Sequence, residues 1–206
     1  MTLTHDIDAV PCLVSESGDV LFCGVDPWLS DPRPEECAVL GRAVAPVLDV
    51  GCGPGRHVLE LAERGVMALG VDAAPSAVTV AHGRGAPVLQ RSIFDPIPGA
   101  GRWGTALLLD GSIGIGGDPA ALLRRLAGLL REEGLVLAEV EDPGVEVGPV
   151  RARIEVGSHA SVWFPWARVG VTDLPRLASS CNYDVVEIWE GAGRWFATLG
   201  LRSSPA

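Results

Sequence analysis

Val47-Leu48-Asp49-Val50-Gly51-Cys52-Gly53-Pro54-Gly55 is the stretch on which the fold turns. Val47–Val50 reads as a buried strand and runs into three glycines, each one residue apart. His57–Arg64 then carries Val58, Leu59, Leu61 and Ala62 on one side, and Gly65 stops the pattern. A strand that feeds a helix through glycines is a ligand loop with a mechanism. Glycine permits the tight turn and lets a ligand approach the backbone, while the helix N-terminus offers unpaired amides. A purely structural strand–helix turn accounts for the same glycines, so the surroundings must decide.

Downstream, Val66–Val71 is expected as a second strand, Ser76–His82 as a short helix, Pro87–Ser92 as a third strand and Thr105–Leu109 as a fourth. Asp118 stands as an N-cap before Pro119. The helix it opens has Ala121, Leu122, Leu126, Leu129 and Leu130 as its apolar stripe and Gly134 as its end. Leu135–Val140 follows as a fifth strand. This alternation predicts an α/β fold: a Rossmann-like, mostly parallel sheet in three α/β/α layers.

After Gly144 the rhythm changes. Val150–Val156 and Ala160–Val169 alternate like an antiparallel pair, the second containing Trp163-Phe164-Pro165-Trp166. Thr172–Ser180 reads as a helix. Tyr183–Trp189 and Trp195–Leu201, joined at Gly191-Ala192-Gly193, read as a C-terminal antiparallel hairpin closing the sheet. Ahead of the glycine loop, Val10–Ser15 and Val20–Cys23 flank a turn at 16–19, and a helix starts near Asp31-Pro32 and runs to about Val44. The chain reads as one domain: an N-terminal cap or lid over 1–45, a core over 46–141, an inserted hairpin over 142–171 on the substrate side, and a closing helix and strands over 172–206.

Composition narrows the function classes. At 206 residues, with 48% hydrophobic and 20% charged, the chain is a globular domain able to bury a full core. A net charge of −10 makes nucleic acid and anionic membranes poor partners. The sequence contains no lysine, which excludes Schiff-base, pyridoxal-phosphate and Walker A lysines. Five cysteines without a C-x-x-C pair read as reduced thiols, and four histidines without H-x-x-x-H spacing give no metal site. There is no apolar run of about 18 residues and no signal-like N-terminus, so a cytoplasmic location is expected.

Asp72 stands just after the second expected strand, about 20 residues past the glycine loop, where a carboxylate accepts both ribose hydroxyls of an adenosine ligand. The alternative is that it caps the Ala73-Ala74-Pro75 helix start. The glycine spacing separates cofactors. The dinucleotide pattern is G-x-G-x-x-G, whereas here the third glycine comes one residue early and Arg56 fills the place that pattern gives to glycine or alanine. A nicotinamide dinucleotide oxidoreductase is thereby disfavoured.

Val47–Gly55 resembles the first motif of the class I S-adenosylmethionine (SAM)-dependent methyltransferases of small-molecule type, a resemblance extending over about 46–140. It implies SAM as cofactor, with Gly51, Cys52, Gly53 and Gly55 shaping the loop around its methionine part. It further implies Asp49 orienting that loop and meeting the amino group through water, and Asp72 with Ala73 at the ribose. Ser92 and Ile93 would border adenine. Many relatives carry an acidic residue near Ser92, and Asp95 is a possible substitute. Leu109, Asp110 and Gly111 would lie beside the sulfonium, with Ser112 on the acceptor side. The run Leu108–Asp118 is similar to an actinobacterial-type stretch that has asparagine where Ser112 stands here.

For chemistry, in-line methyl transfer needs alignment and exclusion of water, and a base only if the acceptor binds protonated. Asp110 is the candidate base, with a turn-forming aspartate as the alternative. His57 reads as packing or capping, and His159 as an exposed loop residue. Trp163, Phe164 and Trp166 form the expected substrate wall, since aromatic faces attract a cation; core packing is their other reading. Trp28 is lid or core. The acceptor is expected to be a small molecule, probable secondary metabolism being suggested only by the arginine-only, Ala/Gly/Pro-rich composition. A SAM-fold protein that does not methylate is the competing reading.

Overall fold

The structure, a computed structural model, describes residues 11–23 and 28–203. Its strands are β1 (Cys12–Ser15), β2 (Val20–Cys23), β3 (Val47–Val50), β4 (Ala68–Asp72), β5 (Val88–Gln90), β6 (Trp103–Leu108), β7 (Leu130–Val140), β8 (Gly148–Val156), β9 (His159–Ala160), β10 (Phe164–Arg168), β11 (Tyr183–Gly191) and β12 (Arg194–Leu201). The helices are α1 (Pro34–Leu40), α2 (Arg56–Glu63), α3 (Pro75–Gly83), α4 (Pro119–Ala127) and α5 (Leu174–Ser180).

Seven strands form the main sheet in the order β11-β12-β7-β6-β3-β4-β5. β3 is buried along its whole length and lies parallel to β4 and β6, which is why it lacks polar alternation except at Asp49. Leu48 and Val50 pack with Leu122, Leu126 and Leu174 of α4 and α5, whereas Val47 packs with Val39 and Leu61 of α1 and α2. Helices therefore cover both faces. β12 runs antiparallel between β7 and β11, closing the sheet as the hairpin pattern predicts. From β3 the chain moves outward through β4 and β5, then returns to the other side of β3 at β6. That reversal of strand order leaves a crevice at the strands' C-terminal ends, the usual ligand position in such sheets.

The second sheet joins two parts of the chain that the sequence does not connect. β1 pairs with β2 and also with β8, in the order β10-β8-β1-β2, and β9 pairs with β8. The N-terminal hairpin and the hairpin after Gly144 are thus one antiparallel unit.

Three expectations are corrected. α4 ends at Ala127 with Gly128 as its C-cap, not at Gly134. Leu129 and Leu130 are buried all the same, but in the turn and at the start of β7, so burial alone matched a helical stripe that ran too far. β7 pairs Leu130 with Trp103 and Leu135 with Thr105, and the surplus residues bulge out where Glu133 takes φ +58°. The helix expected to reach Val44 stops at Leu40. Cys12, opposite Cys23 in the β1–β2 register, is disulfide-bonded, while Cys37, Cys52 and Cys181 are free thiols. Val10, the expected first residue of that hairpin, lies outside the described residues.

Candidate active site

The crevice begins at the glycine loop. Gly51 takes φ +71°, and a Cβ there would lie 2.7 Å from Ile115 Cδ1 and 2.8 Å from Ser112 Oγ. Gly55 caps α2 at φ +81°, with Ala86 Cβ 2.7 Å from where its own Cβ would be. Both positions need glycine for conformation and for closeness. Asp72 Oδ2 accepts the Gly53 N–H at 2.8 Å, and its Oδ1 accepts the Ala74 N–H at 2.8 Å. Asp72 therefore shapes the turn into α3 without capping it, since Ala74 is the N-cap and no side chain caps that helix, and the same carboxylate braces the glycine loop. Cys52 is buried, and burial pushes its thiol well above the usual range, so it is no nucleophile.

Beyond β5, Ser92 Oγ accepts the Phe94 N–H at 3.3 Å. Arg125 of α4 donates to the carbonyls of Ile93 (2.9 Å) and Asp95 (2.6 Å), pinning this loop. Phe94 is half exposed, and its ring lies against Gly116. Ala73 is exposed at the mouth, whereas Leu109 and Ser112 are buried and Asp110 and Gly111 are half-buried.

An ionic network fills the side of the crevice between α1, α2 and the ends of β6 and β7. Arg56 donates to both oxygens of Glu36 (2.7 and 2.9 Å) and, from Nη2, to both oxygens of Asp110 (2.9 and 2.7 Å). Arg194 donates to Glu139 (2.8 and 2.7 Å), Glu36 (2.5 Å) and Asp110 (3.1 Å). The Asp110 N–H donates to Glu139 Oε2 at 2.7 Å, which fixes Asp110 at φ +53°. Burial alone would raise the Glu36 carboxyl, but His57, Arg194 and Arg56 outweigh it and hold it well below the usual carboxylate range.

Asp49 is the exception to this pairing. It is 2% exposed, and its Oδ2 has no hydrogen-bond partner; the nearest cation-capable group is His57 Nδ1 at 3.8 Å. His57 Nε2 is also unpartnered, 3.9 Å from Glu36 Oε2. Burial pushes the Asp49 carboxyl up to about 6, with Asp110 and Asp72 adding to the rise and His57 and Arg56 opposing it. A buried carboxylate oxygen without a donor near the end of the central strand is costly for a fold to keep.

Where β6 and β7 end, a cavity of about 60 Å³ opens between the two sheets. Asp110, Gly111, Glu139 and Glu141 line it together with Leu13, Phe22, Trp166 and further aliphatic side chains. Of the expected aromatic wall, Trp166 reaches this cavity. Phe164 supports it edge-on at 5.9 Å, and Trp163 lies instead under the Arg153 guanidinium, 4.6 Å away. Trp28 stacks on Phe22 at 5.6 Å, and His159 is exposed on β9.

Residues 47–134 match the family model of a methyltransferase domain. Over 60 residues the chain is 45% identical to 2-heptyl-1-hydroxyquinolin-4(1H)-one methyltransferase of Mycobacteroides abscessus. That stretch spans 28% of this chain and 26% of that protein, about a quarter of the relative's length. The fold is similar to that of a SAM-dependent methyltransferase from Bacteroides fragilis in complex with S-adenosyl-L-homocysteine, with TM-score 0.79 and 25% identity over 97% of this chain and 91% of that one. It is also similar to 1,6-didemethyltoxoflavin-N1-methyltransferase of Burkholderia thailandensis, with TM-score 0.61 and 20% identity over 86% and 82% of the two chains. The chain thus has the fold of SAM-dependent methyltransferases, and just under half of it matches a methyltransferase domain.

Several residues of the crevice are invisible to motif reading. Glu36, Glu139 and Arg194 come from three distant elements and meet only in the folded chain. Arg56 was legible as an anomaly after the glycines, though not as the centre of a network. Glu139 and Glu141 did carry a signal: carboxylates at and just past the C-terminal end of β7, after the apolar run 135–138. Among the described residues no group of histidine, cysteine or carboxylate side chains is arranged to hold a metal ion.

Proposed function

We propose that this chain is an enzyme that binds SAM across the Gly51–Gly55 loop and transfers its methyl group to a small molecule, with a secondary metabolite as the acceptor class. The observation that carries the reading is the orphaned Asp49 Oδ2, buried beneath the loop. A polar atom left unpaired at the end of the central strand fits a ligand that brings its own donor. The methionine ammonium is such a donor, directly or through water.

The rest of the donor set fits the same ligand. Gly51, Cys52, Gly53 and Gly55 offer a backbone cradle. Asp72 keeps lone pairs for ribose hydroxyls beside the two amides it already accepts. Ala73 lies at the ribose edge, and Ser92 and Ile93 border the adenine. Leu109, Asp110 and Gly111 carry the methionine end toward Ser112, Trp166 and the cavity, with Phe164 behind Trp166 and Trp163 at the outer edge of the acceptor side.

When bound, SAM supplies a methyl carbon already activated by its sulfonium. The protein's own contribution is alignment and dryness: the two sheets enclose the acceptor cavity, and Trp166 with Ile113 excludes water from one wall. Asp110 serves better as an anchor than as a general base. Both its oxygens already accept hydrogen bonds from guanidinium groups, so their lone pairs are taken up in holding the turn.

Calorimetric titration with SAM, S-adenosylhomocysteine and NAD⁺ tests the reading. Saturable binding of the first two without the third is expected; preference for NAD⁺ would overturn it. Loss of methyl from SAM in the presence of a small-molecule acceptor library, followed by mass, separates a methyltransferase from a binding protein.

A further inference from the structure

The cavity at the ends of β6 and β7 has a one-sided chemistry. Among the described residues its polar lining is Asp110, Glu139 and Glu141, with no guanidinium. Arg194 holds Glu139, Arg56 holds Asp110 and Arg168 holds Glu141, each outside the cavity lining. In one network Glu35, Glu36, Asp110 and Glu139 outnumber Arg56 and Arg194, while Glu141 and Arg168 form a separate pair, so the groups around the cavity carry more carboxylates than guanidiniums. The remaining walls are apolar, with the aromatic rings of Phe22 and Trp166 among them. Carboxylates backed by arginines are held in fixed positions, and aromatic faces add cation–π attraction.

Resting on the methyltransferase reading above, we propose that the acceptor presents a basic nitrogen to this cavity: an amine that enters as an ammonium, with an apolar or aromatic body. An anionic acceptor would meet three carboxylates with no cation in the lining to offset them. A neutral hydroxyl would forgo the charge-assisted bonds that the site offers. Glu141, about one-third exposed, connects the cavity to solvent, and the ammonium proton leaves to water along that edge before transfer. On transfer the freed nitrogen lone pair forms the N–C bond, the C–S bond breaks with its electron pair going to sulfur, and the product leaves as a methylated ammonium.

NMR titration of the protein saturated with S-adenosylhomocysteine, using benzylamine, benzyl alcohol and benzoate, tests this through binding alone. The three probes share a body and differ in charge. Benzylamine should bind at least about tenfold tighter than benzyl alcohol, a difference of about 1.4 kcal/mol, with benzoate weakest. Equal affinities, the reverse order, or no benzylamine binding up to about 50 mM would overturn the inference. In Glu141→Gln the amine-to-alcohol ratio should fall at least about threefold. Saturation by S-adenosylhomocysteine should persist, which reports an intact fold; an unchanged ratio would remove Glu141 from the recognition. Failure of S-adenosylhomocysteine itself to bind would instead overturn the methyltransferase reading, so the two failures are distinguishable.

Discussion

The Arg56 guanidinium donates from a single nitrogen to both carboxylate oxygens of Asp110, 54 positions further along the chain, while bridging Glu36 with both of its terminal nitrogens. Arg56 and Glu36 are nearly inaccessible, with side chains 3% and 1% exposed, so each depends on the other for solvation. Arg56 therefore ties the glycine-loop helix to α1 and to the turn after β6.

Removing one partner of such a buried network leaves carboxylates uncompensated. Arg56→Met is expected to lower stability by about 3–5 kcal/mol in chemical denaturation. Arg56→Lys should recover only part of it, because an ammonium cannot reproduce two bidentate contacts. A loss below about 1 kcal/mol for Arg56→Met would show that the network contributes little to the fold.

Asp49 predicts opposite effects on stability and on binding. Its folded-state pKa lies above the ordinary 3.8, at about 6, so the unfolded chain gives up this proton first as pH rises. Between those values stability falls with rising pH, by up to about 3 kcal/mol, and above pH 6 the whole penalty is present. Asp49→Asn should therefore melt higher than the wild type at pH 7, with the advantage gone near pH 4. The same substitution should weaken S-adenosylhomocysteine, and wild-type affinity should decline as pH drops below 6. Tighter binding by the Asn variant would remove Asp49 from the cofactor site.

Asp72 does two jobs, and two substitutions separate them. Asp72→Ala loses the ribose contacts and the Gly53 and Ala74 braces together, and SAM affinity should fall about 10- to 100-fold, from lost charged hydrogen bonds worth about 1.5–3 kcal/mol. Asp72→Asn keeps one amide oxygen as acceptor and should lie between the two. Calorimetry reads both, and an unchanged dissociation constant in the Ala variant would sink the ribose assignment.

The turn after β6 is clamped by β10. A Cβ at Gly114 would sit 2.1 Å from the Ala167 carbonyl oxygen and 2.6 Å from Trp166 Nε1. The first contact is with backbone, which cannot step aside. Gly114→Ala should cost about 3 kcal/mol in denaturation, at the upper end for overpacking. Trp166→Ala should destabilise through the cavity it leaves and raise the acceptor KM more than the SAM Kd. A larger effect on SAM would move Trp166 from the acceptor wall to the cofactor side.

What could be read directly was whatever depends on neighbours along the chain. Val47–Val50 came out at its observed limits because a strand buried on both faces must be continuously apolar. The Asp118–Pro119 helix start was equally plain, with Asp118 Oδ1 accepting the Ala121 N–H as an N-cap does. The glycine loop and Asp72 were legible for the same reason, since turn and cap chemistry is local. The end of α4 was not, because buried leucines look alike in a helix, a turn and a strand start.

The sequence by itself thus determined the α/β alternation, the central strand, the glycine loop and the acidic residue at the end of β4, all set by local conformational preference and burial pattern. Only the tertiary structure decided that β1 pairs with β8 and that Glu36, Arg56, Asp110, Glu139 and Arg194 form one network. The physical reason is range. Strand pairing and ion pairing between residues 20 to 158 positions apart leave no periodicity in the chain, and a charge declares its role only when the fold shows which opposite charge, or which absence of one, it faces.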